Sequence, residues 1–441
     1  MLHHCVPCML MHPCSLALRL LALSLFAVAA FPLQAQSKVT VEKNGSQFQL
    51  MVNGKPFFIH GVGGTNRLSE LHDLGGNSIR TWGIESLDEQ VDGKPLMERA
   101  QELNLMVTAG IWLQPQRYGF DYDDAHAVAA QRDAVRAAVT KWKDSPALLM
   151  WGLGNEMEGP TSDGSDVRVW KELNILAGIV KEEDPNHPVM TVIAGYGGER
   201  VKNLLAYCPN IDVLGVNAYG SAAGAGAAVV QQGWNRPFVL TEFGPTGQWE
   251  VPKTPWGAPI EATSNEKAAS YYATQQMVTG DSKDICLGTY AFLWGDKQEA
   301  TATWYGMFLK TGERLPQADA MSLAWTGSWP AHRCPKLKSL TSSVAEKTVA
   351  PSTSANAIAE AVDPGGAPLQ YEWNVVEEST ANGVGGDAET VPPCHPECIS
   401  GTPGKALTFT TPSRPGAYRL FLTVRDGKGG ATTANVPFLV Q

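Results

Sequence analysis

The chain has 441 residues, 44% of them hydrophobic and 18% charged, with 44 glycines and 29 prolines. That length leaves room for two globular domains, one of them large. A formal charge of −10 argues against a nucleic-acid partner, which demands a basic face, and no run of five or six like charges marks a charged tail.

In chain order, the first element stands apart from the rest. Arg19 precedes the apolar run Leu20–Phe31, and Leu33-Gln34-Ala35 follows it. One basic residue, a short apolar core and a small residue before the cut read as a secretory signal over 1–35, cleaved near Ala35. Export to the periplasm or beyond the cell follows. A membrane anchor is the competing reading, but the run falls short of the roughly 18 residues needed to span a bilayer, and no later segment is long and apolar enough. Oligomeric state is left open.

The stretch "KVTVEKNGSQFQLMVNGKPFF" alternates and carries two Asn-Gly turns, which predicts a hairpin. Eight short apolar runs follow, at 57–62, 77–82, 105–111, 147–153, 189–194, 212–217, 237–242 and 287–294. Each is apolar through both parities, as parallel strands buried on both faces should be. The segments between them are mainly helical in pattern. One places Val167, Trp170, Leu173, Ala177 and Val180 on one stripe and stops at Pro185, whereas the glycines of "SAAGAGAAVVQQGWN" oppose helix. Eight strand–helix units predict a (β/α)8 barrel over 36–332, with the hairpin capping its bottom.

Beyond it, 333–352 reads as a Ser/Thr/Pro/Lys linker. Residues 353–441 alternate between Gly and Pro turns without helical period, and predict an all-β sandwich with Trp373 in its core. "DPGGAPLQYEWNV" and "PGAYRLFLTVRDGKGGATTA" resemble PKD-type immunoglobulin-like modules. Because every candidate catalytic residue precedes this module, it is expected to be dispensable for chemistry. Five cysteines remain after cleavage: Cys208, Cys286, Cys334, Cys394 and Cys398. An odd number leaves a thiol unpaired. "CHPEC" suits a local Cys394–Cys398 disulfide better than a metal site, since no second ligand pair follows and export favours oxidation. No metal and no cofactor is expected.

In a (β/α)8 barrel the working residues sit at the C-terminal ends of the strands. Those ends carry His60, Arg80 with Trp82, Trp112, Asn155-Glu156, Tyr219, Glu242 and Trp294. Two carboxyls, a guanidinium, a phenol, an amide and indoles suit glycosidic-bond cleavage. One carboxylic acid protonates the leaving oxygen, and a second carboxylate attacks the sugar or activates water. Flat indoles suit pyranose faces. Taken singly, either glutamate reads as an ordinary loop residue, Arg80 as a structural ion pair, and Tyr219 and Trp294 as core aromatics. His60 reads as structural. Glu299 is the rival carboxylate, and with Gln298, Trp304 and Tyr305 it is expected to line the cleft.

"WGLGNE" and "VLTEFG" resemble the fourth- and seventh-strand signatures of clan A glycoside hydrolases, nearest to the barrel of family 2 with family 5 close behind. "NGKPFFIHGVGG" and "LGGNSIRTWG" extend the resemblance over roughly residues 50–330. It implies Glu156 as acid/base and Glu242 as nucleophile of a retaining enzyme, with Asn155 on the sugar's 2-hydroxyl. Arg80 and Tyr219 would hold Glu242 ionised, Trp294 would floor the subsite of the reacting sugar, and the partner is a carbohydrate. The sandwich domains that precede the barrel in family 2 exo-enzymes are absent. A transglycosylase sharing the covalent intermediate, or a non-catalytic carbohydrate-binding surface protein, is the alternative.

Overall fold

The computed structural model describes residues 36–441 apart from Pro160, Asn382, Val384 and Gly385. The expected signal segment lies outside the described residues. Strands β1 (Val39–Asn44), β2 (Gln47–Val52) and β3 (Lys55–Phe57) form an antiparallel sheet, one strand more than a hairpin. Its second turn has both Asn53 (φ 51°) and Gly54 (φ 75°) in the left-handed region, the conformation that Asn-Gly pairs favour.

Strand and helix then alternate eight times. The series is β4 (Ile59–Gly63), α1 (Leu68–Asp73), β5 (Ser78–Arg80), a ribbon of β6 (Gln90–Val91) and β7 (Lys94–Pro95), α2 (Leu96–Glu102), β8 (Met106–Ile111) and α3 (Ala125–Trp142). It continues through β9 (Leu148–Asn155), α4 (Val167–Glu183), β10 (Val189–Ala194), α5 (Arg200–Tyr207), β11 (Val213–Asn217) and α6 (Ala225–Gln231). It closes with β12 (Phe238–Phe243), α7 (Ser264–Asp281), β13 (Cys286–Ala291) and α8 (Pro316–Thr326). The eight long-run strands β4, β5 and β8–β13 close into one parallel barrel. Each overlaps one expected apolar run, and nearly every residue in them is buried, as strands covered on both faces must be.

Local signals set the helix ends. Asp166 caps α4 by accepting from the Arg168 amide, and Thr263 with Glu266 makes a capping box at α7. The glycine-rich stretch after β11 yields only a short helix behind a 3-10 turn. The β1–β3 sheet covers the barrel's N-terminal end, where Val39 and Leu50 pack with Leu149, Met190, Val213, Val239 and Leu287.

The C-terminal region packs two sheets face to face. One is β14 (Lys336–Ser342), β16 (Ser354–Val362) and β18 (Ala406–Thr410). The other orders β15 (Thr348–Val349), β20 (Ala431–Val440), β19 (Gly416–Arg425) and β17 (Gln370–Glu377). Trp373, Phe409, Leu420, Leu422 and Phe438 fill the space between them. The segment expected as a linker, 333–352, contributes β14 and β15; its lysines and hydroxyls are largely the outward side of edge strands. The expected disulfide is corrected: all five described cysteines are free. Cys394 is exposed, whereas Cys398 ends the 3-10 turn Pro396–Cys398 and is buried in the sandwich core, so the two thiols face different surroundings.

Sandwich and barrel share buried polar contacts. The Ser264 and Thr433 hydroxyls lie 2.6 Å apart, and Asn435 Nδ2 donates to Glu261 Oε2 at 2.6 Å. Glu261 also accepts from Lys267, Thr301 and Thr303. Burial raises its pKa, but the Lys267 and Arg419 cations outweigh burial and hold it below the usual carboxylate range. Arg419, 1% exposed, donates to Asn435 Oδ1, to Glu378 and to the Pro259 carbonyl. A chain cut near Pro335 would leave Glu261 and Lys267 with fewer partners at a newly exposed face.

Candidate active site

A cavity of about 910 Å³ opens at the C-terminal end of the barrel strands. Glu156 and Glu242 both line it, with Trp82, Trp112, Asn155, Tyr219 and Glu299 among the residues expected there. Irregular pairing brings them to this rim. The register shifts between β9 and β10 so that Asn155 faces Val192, and between β11 and β12 so that Asn217 faces Glu242. Shifts of this kind re-aim side chains at barrel ends.

Glu156 follows β9 with φ 51°, a left-handed conformation uncommon for glutamate and costing about 1–2 kcal/mol. Two interactions hold it there. Its amide donates to the Val192 carbonyl at 2.9 Å, and its Oε1 accepts from Asn217 Nδ2 at 2.8 Å. Gly154, two residues earlier, has φ 75°, and a Cβ there would meet Met157 at 2.7 Å, so the turn needs glycine. Burial, then the Glu242 charge, push the Glu156 carboxyl up to about 7; Asn217 and Arg80 pull the other way.

Glu242 sits differently. Its Oε1 accepts from Arg80 Nη1 at 3.0 Å and from Trp82 Nε1 at 2.8 Å, and its Oε2 accepts from the Tyr219 hydroxyl at 3.1 Å. Burial and the nearby Glu242 charge raise the Tyr219 pKa well above its ordinary value, so the phenol keeps the proton it donates. Arg80, 2% exposed, does not line the cavity but lies behind it. Its Nη2 donates to Asn155 Oδ1 at 2.7 Å, while Asn217 reaches Asn155 at 3.2 Å and accepts from Thr241 at 2.8 Å. One hydrogen-bonded network therefore joins both carboxyls.

Besides Arg80, four expected residues lie off the cavity: Trp294, Gln298, Trp304 and Tyr305, the last 1% exposed with its hydroxyl on Gln248. Trp294 is 1% exposed and packs edge-on against Phe308, with ring centroids 4.8 Å apart. The last barrel strand ends at Ala291, and Phe292 lines the cavity instead. Trp304 is buried, with Nε1 on the Thr246 carbonyl at 3.0 Å, and Gln298 is half-buried outside the lining. Glu299 is on the wall, ion-paired with Lys297 at 2.6 Å. His60 lies within β4, stacked on Trp325 with centroids 6.2 Å apart and away from the cavity. Among the described residues no cluster of three or more His, Cys, Asp and Glu is arranged to hold a metal.

Sequence reasoning missed three parts of this site. Asn217, whose side chain links Glu156 to Asn155 and so through Arg80 to Glu242, reads as one more buried strand residue. The Glu158 side chain, 2% exposed, accepts from the Ala194 amide and pairs with Arg200 at 2.8 Å, and its charge raises the Glu156 pKa. The third part is a wall from the sandwich: Gly383, Gly386, Asp387 and Ala388 line the same cavity. The module expected to be dispensable for chemistry therefore contributes part of the cavity wall.

No family model matches this chain, and no curated protein matches it. Among solved structures it is similar to a GH2 beta-galacturonidase from Eisenbergiella tayi, with 16% identity, 66% of this chain covered, 54% of that one, and a TM-score of 0.49. Bacteroides uniformis beta-glucuronidase 2 follows at 13% identity, 91% and 48% coverage and TM-score 0.49. A Dictyoglomus thermophilum beta-D-glucuronidase has 16% identity, 66% and 54% coverage and TM-score 0.48. The chain spans about half the length of these proteins, and likenesses so slight do not carry their activity to it.

Proposed function

We propose that the chain is an exported, retaining β-glycoside hydrolase of the clan A kind, using Glu156 and Glu242 in double displacement. One observation carries the reading: two carboxyls share a cavity in opposed surroundings. Burial pushes the Glu156 carboxyl up to about 7, so near neutral pH a large fraction keeps a proton to give. Glu242 is instead met by three donors, Arg80, Trp82 and Tyr219, one of them a cation. Opposed environments of this kind separate an acid from a nucleophile.

In the first step a Glu242 oxygen bonds to the anomeric carbon as the glycosidic C–O bond breaks, and the Glu156 proton passes to the leaving oxygen. Oε2, with one donor against two on Oε1, is the oxygen that attacks. In the second step the Glu156 carboxylate takes a proton from water, the hydroxide adds to the anomeric carbon, and the bond to Glu242 breaks. Trp82 and Trp112 on the wall offer flat faces to the sugars.

The test is turnover of an aryl β-glycoside panel with the anomer of the product followed by NMR. First-formed β product is expected; first-formed α product would overturn the double displacement. Azide should rescue Glu156→Ala and give a β-glycosyl azide, and should give the α product with Glu242→Ala. Product sizing separates hydrolysis from transfer to a second sugar.

A further inference from the structure

A second cavity, of about 620 Å³, lies beside the first and shares Gln248, Trp249 and Gly383 with it. It is built by both regions of the chain. The loop after β12 supplies Trp249, Lys253 and Trp256, and the sandwich supplies Glu378, Arg414 and Tyr418. The partition between the cavities is an aromatic side chain. Trp249 is 57% exposed and packs edge-on against Tyr219, centroids 5.7 Å apart, and the Tyr219 hydroxyl is on Glu242.

On the sandwich side, Gly386, Asp387 and Glu389 are tied to the barrel. Arg117 Nη1 meets Asp387 at 3.1 Å, and Tyr118 also donates to Asp387. Lys297 Nζ reaches the Gly386 carbonyl at 3.0 Å, and the Ala300 amide donates to Glu389 Oε2 at 2.8 Å. These contacts hold residues 386–389 against the barrel. Glu378 is held by the buried Arg419.

We propose that the second cavity holds the continuation of a polymeric β-glycan whose scissile bond lies in the first, so that the C-terminal sandwich is part of the substrate site. The inference rests on the glycosidase reading. Continuity decides the occupant, because a chain leaving the carboxyls past Trp249 enters this space directly. Its volume falls in the range of roughly 300–1,000 Å³ typical of small-ligand sites. Its lining also suits neutral sugars: it combines Lys253 and Arg414 with Glu377, Glu378 and Glu389 and with the hydroxyls of Ser379 and Thr380. That gives donors and acceptors without a dominant charge.

The test is calorimetric titration of the full Glu156→Gln chain with β-linked gluco-, manno-, xylo- and galacto-oligosaccharides of two to six units. In at least one series affinity should rise tenfold or more from two units to six. Adding Trp256→Ala, or Arg414→Ala at an exposed position that leaves folding intact, should cut that gain below threefold. Flat affinity in every series, no binding at all, or a full gain in both variants would overturn the proposal. Loss of aryl-glycoside turnover in Glu242→Gln tests the glycosidase reading separately, so the two fail independently.

Discussion

The two ends of the barrel each hold a buried hydrogen-bonded chain of reactive side chains, and they are built to opposite purposes. At the closed end Ser37 Oγ lies 2.9 Å from His187 Nε2, and His187 Nδ1 lies 2.7 Å from Asp184 Oδ2, which also accepts from Trp151 Nε1 at 2.9 Å. The order serine, histidine, aspartate imitates a hydrolytic relay. Yet the three are 1%, 4% and 0% exposed, line neither cavity, and the Ser37 hydroxyl has the Leu148 carbonyl at 2.7 Å as a second acceptor. At the open end Glu242 is buried and Glu156 half-buried, and both face about 910 Å³ of space. Reactive groups in hydrogen-bonded order do not make a site; room for a substrate beside them does.

The sharpest way to break this contrast is at the open end. Glu242→Gln should lower kcat on an aryl β-glycoside by about 10⁴-fold or more, since no covalent intermediate can form. Retained turnover would move the chemistry elsewhere, with Glu299 the first rival. Glu156→Gln should cost about 10²–10⁴-fold on substrates with poor leaving groups and much less on activated ones. It should also erase the alkaline limb of the pH profile. With its pKa near 7, Glu156 is protonated below that pH and loses its proton above it, so wild-type kcat/KM should fall as pH rises through about 7. A limb that survives the substitution belongs to another group.

The closed end should behave in the opposite sense. Asp184→Asn should leave kcat within about threefold of wild type while lowering unfolding free energy by roughly 2 kcal/mol, the order of a buried hydrogen bond to a charged group. Burial alone would raise the Asp184 pKa, but His187 and Trp151 bring it below the usual range. A depressed carboxylate stabilises the fold above its unfolded pKa of about 3.9, and the contribution fades as pH falls through the folded value. The difference between variant and wild type, read by urea unfolding, should therefore shrink below about pH 4. A large loss of kcat in a stable Asp184→Asn protein would put chemistry at the wrong end of the barrel.

What the sequence makes legible follows the same physics. Strands buried on both faces must be apolar throughout, so the eight runs mark the barrel, and a glutamate closing such a run stands out at 156 and 242. Asn217 does not stand out, because it sits inside a fully buried strand and matters only through its reach across a shifted register. Trp294 misleads for the converse reason: the apolar run continues past Ala291, where the strand has ended and Phe292 faces the cavity. The Arg117–Asp387 contact joins residues 270 apart, and neither periodicity nor turn chemistry encodes such a pairing. The sandwich wall exists only where the sandwich meets the barrel, and no local pattern in the sequence marks it.

The smallest expected effect tests the link between the carboxyls. Asn217 Nδ2 donates to Glu156 at 2.8 Å, which favours the ionised form and draws the Glu156 pKa down against burial and the Glu242 charge. Asn217→Ala removes that donor and leaves both opposing influences, so the pKa should rise and the alkaline limb of kcat/KM should move up. A hydrogen bond to a charged group contributes about 1.5–3 kcal/mol, and about 1.4 kcal/mol corresponds to one pKa unit. Partial replacement by water makes a displacement of about half to one unit the expected outcome, with kcat reduced about tenfold as Asn155 and Thr241 lose their shared partner. A limb displaced downward would mean that Asn217 favours the protonated acid, and a limb that stays in place would separate Glu156 from the network that joins it to Glu242.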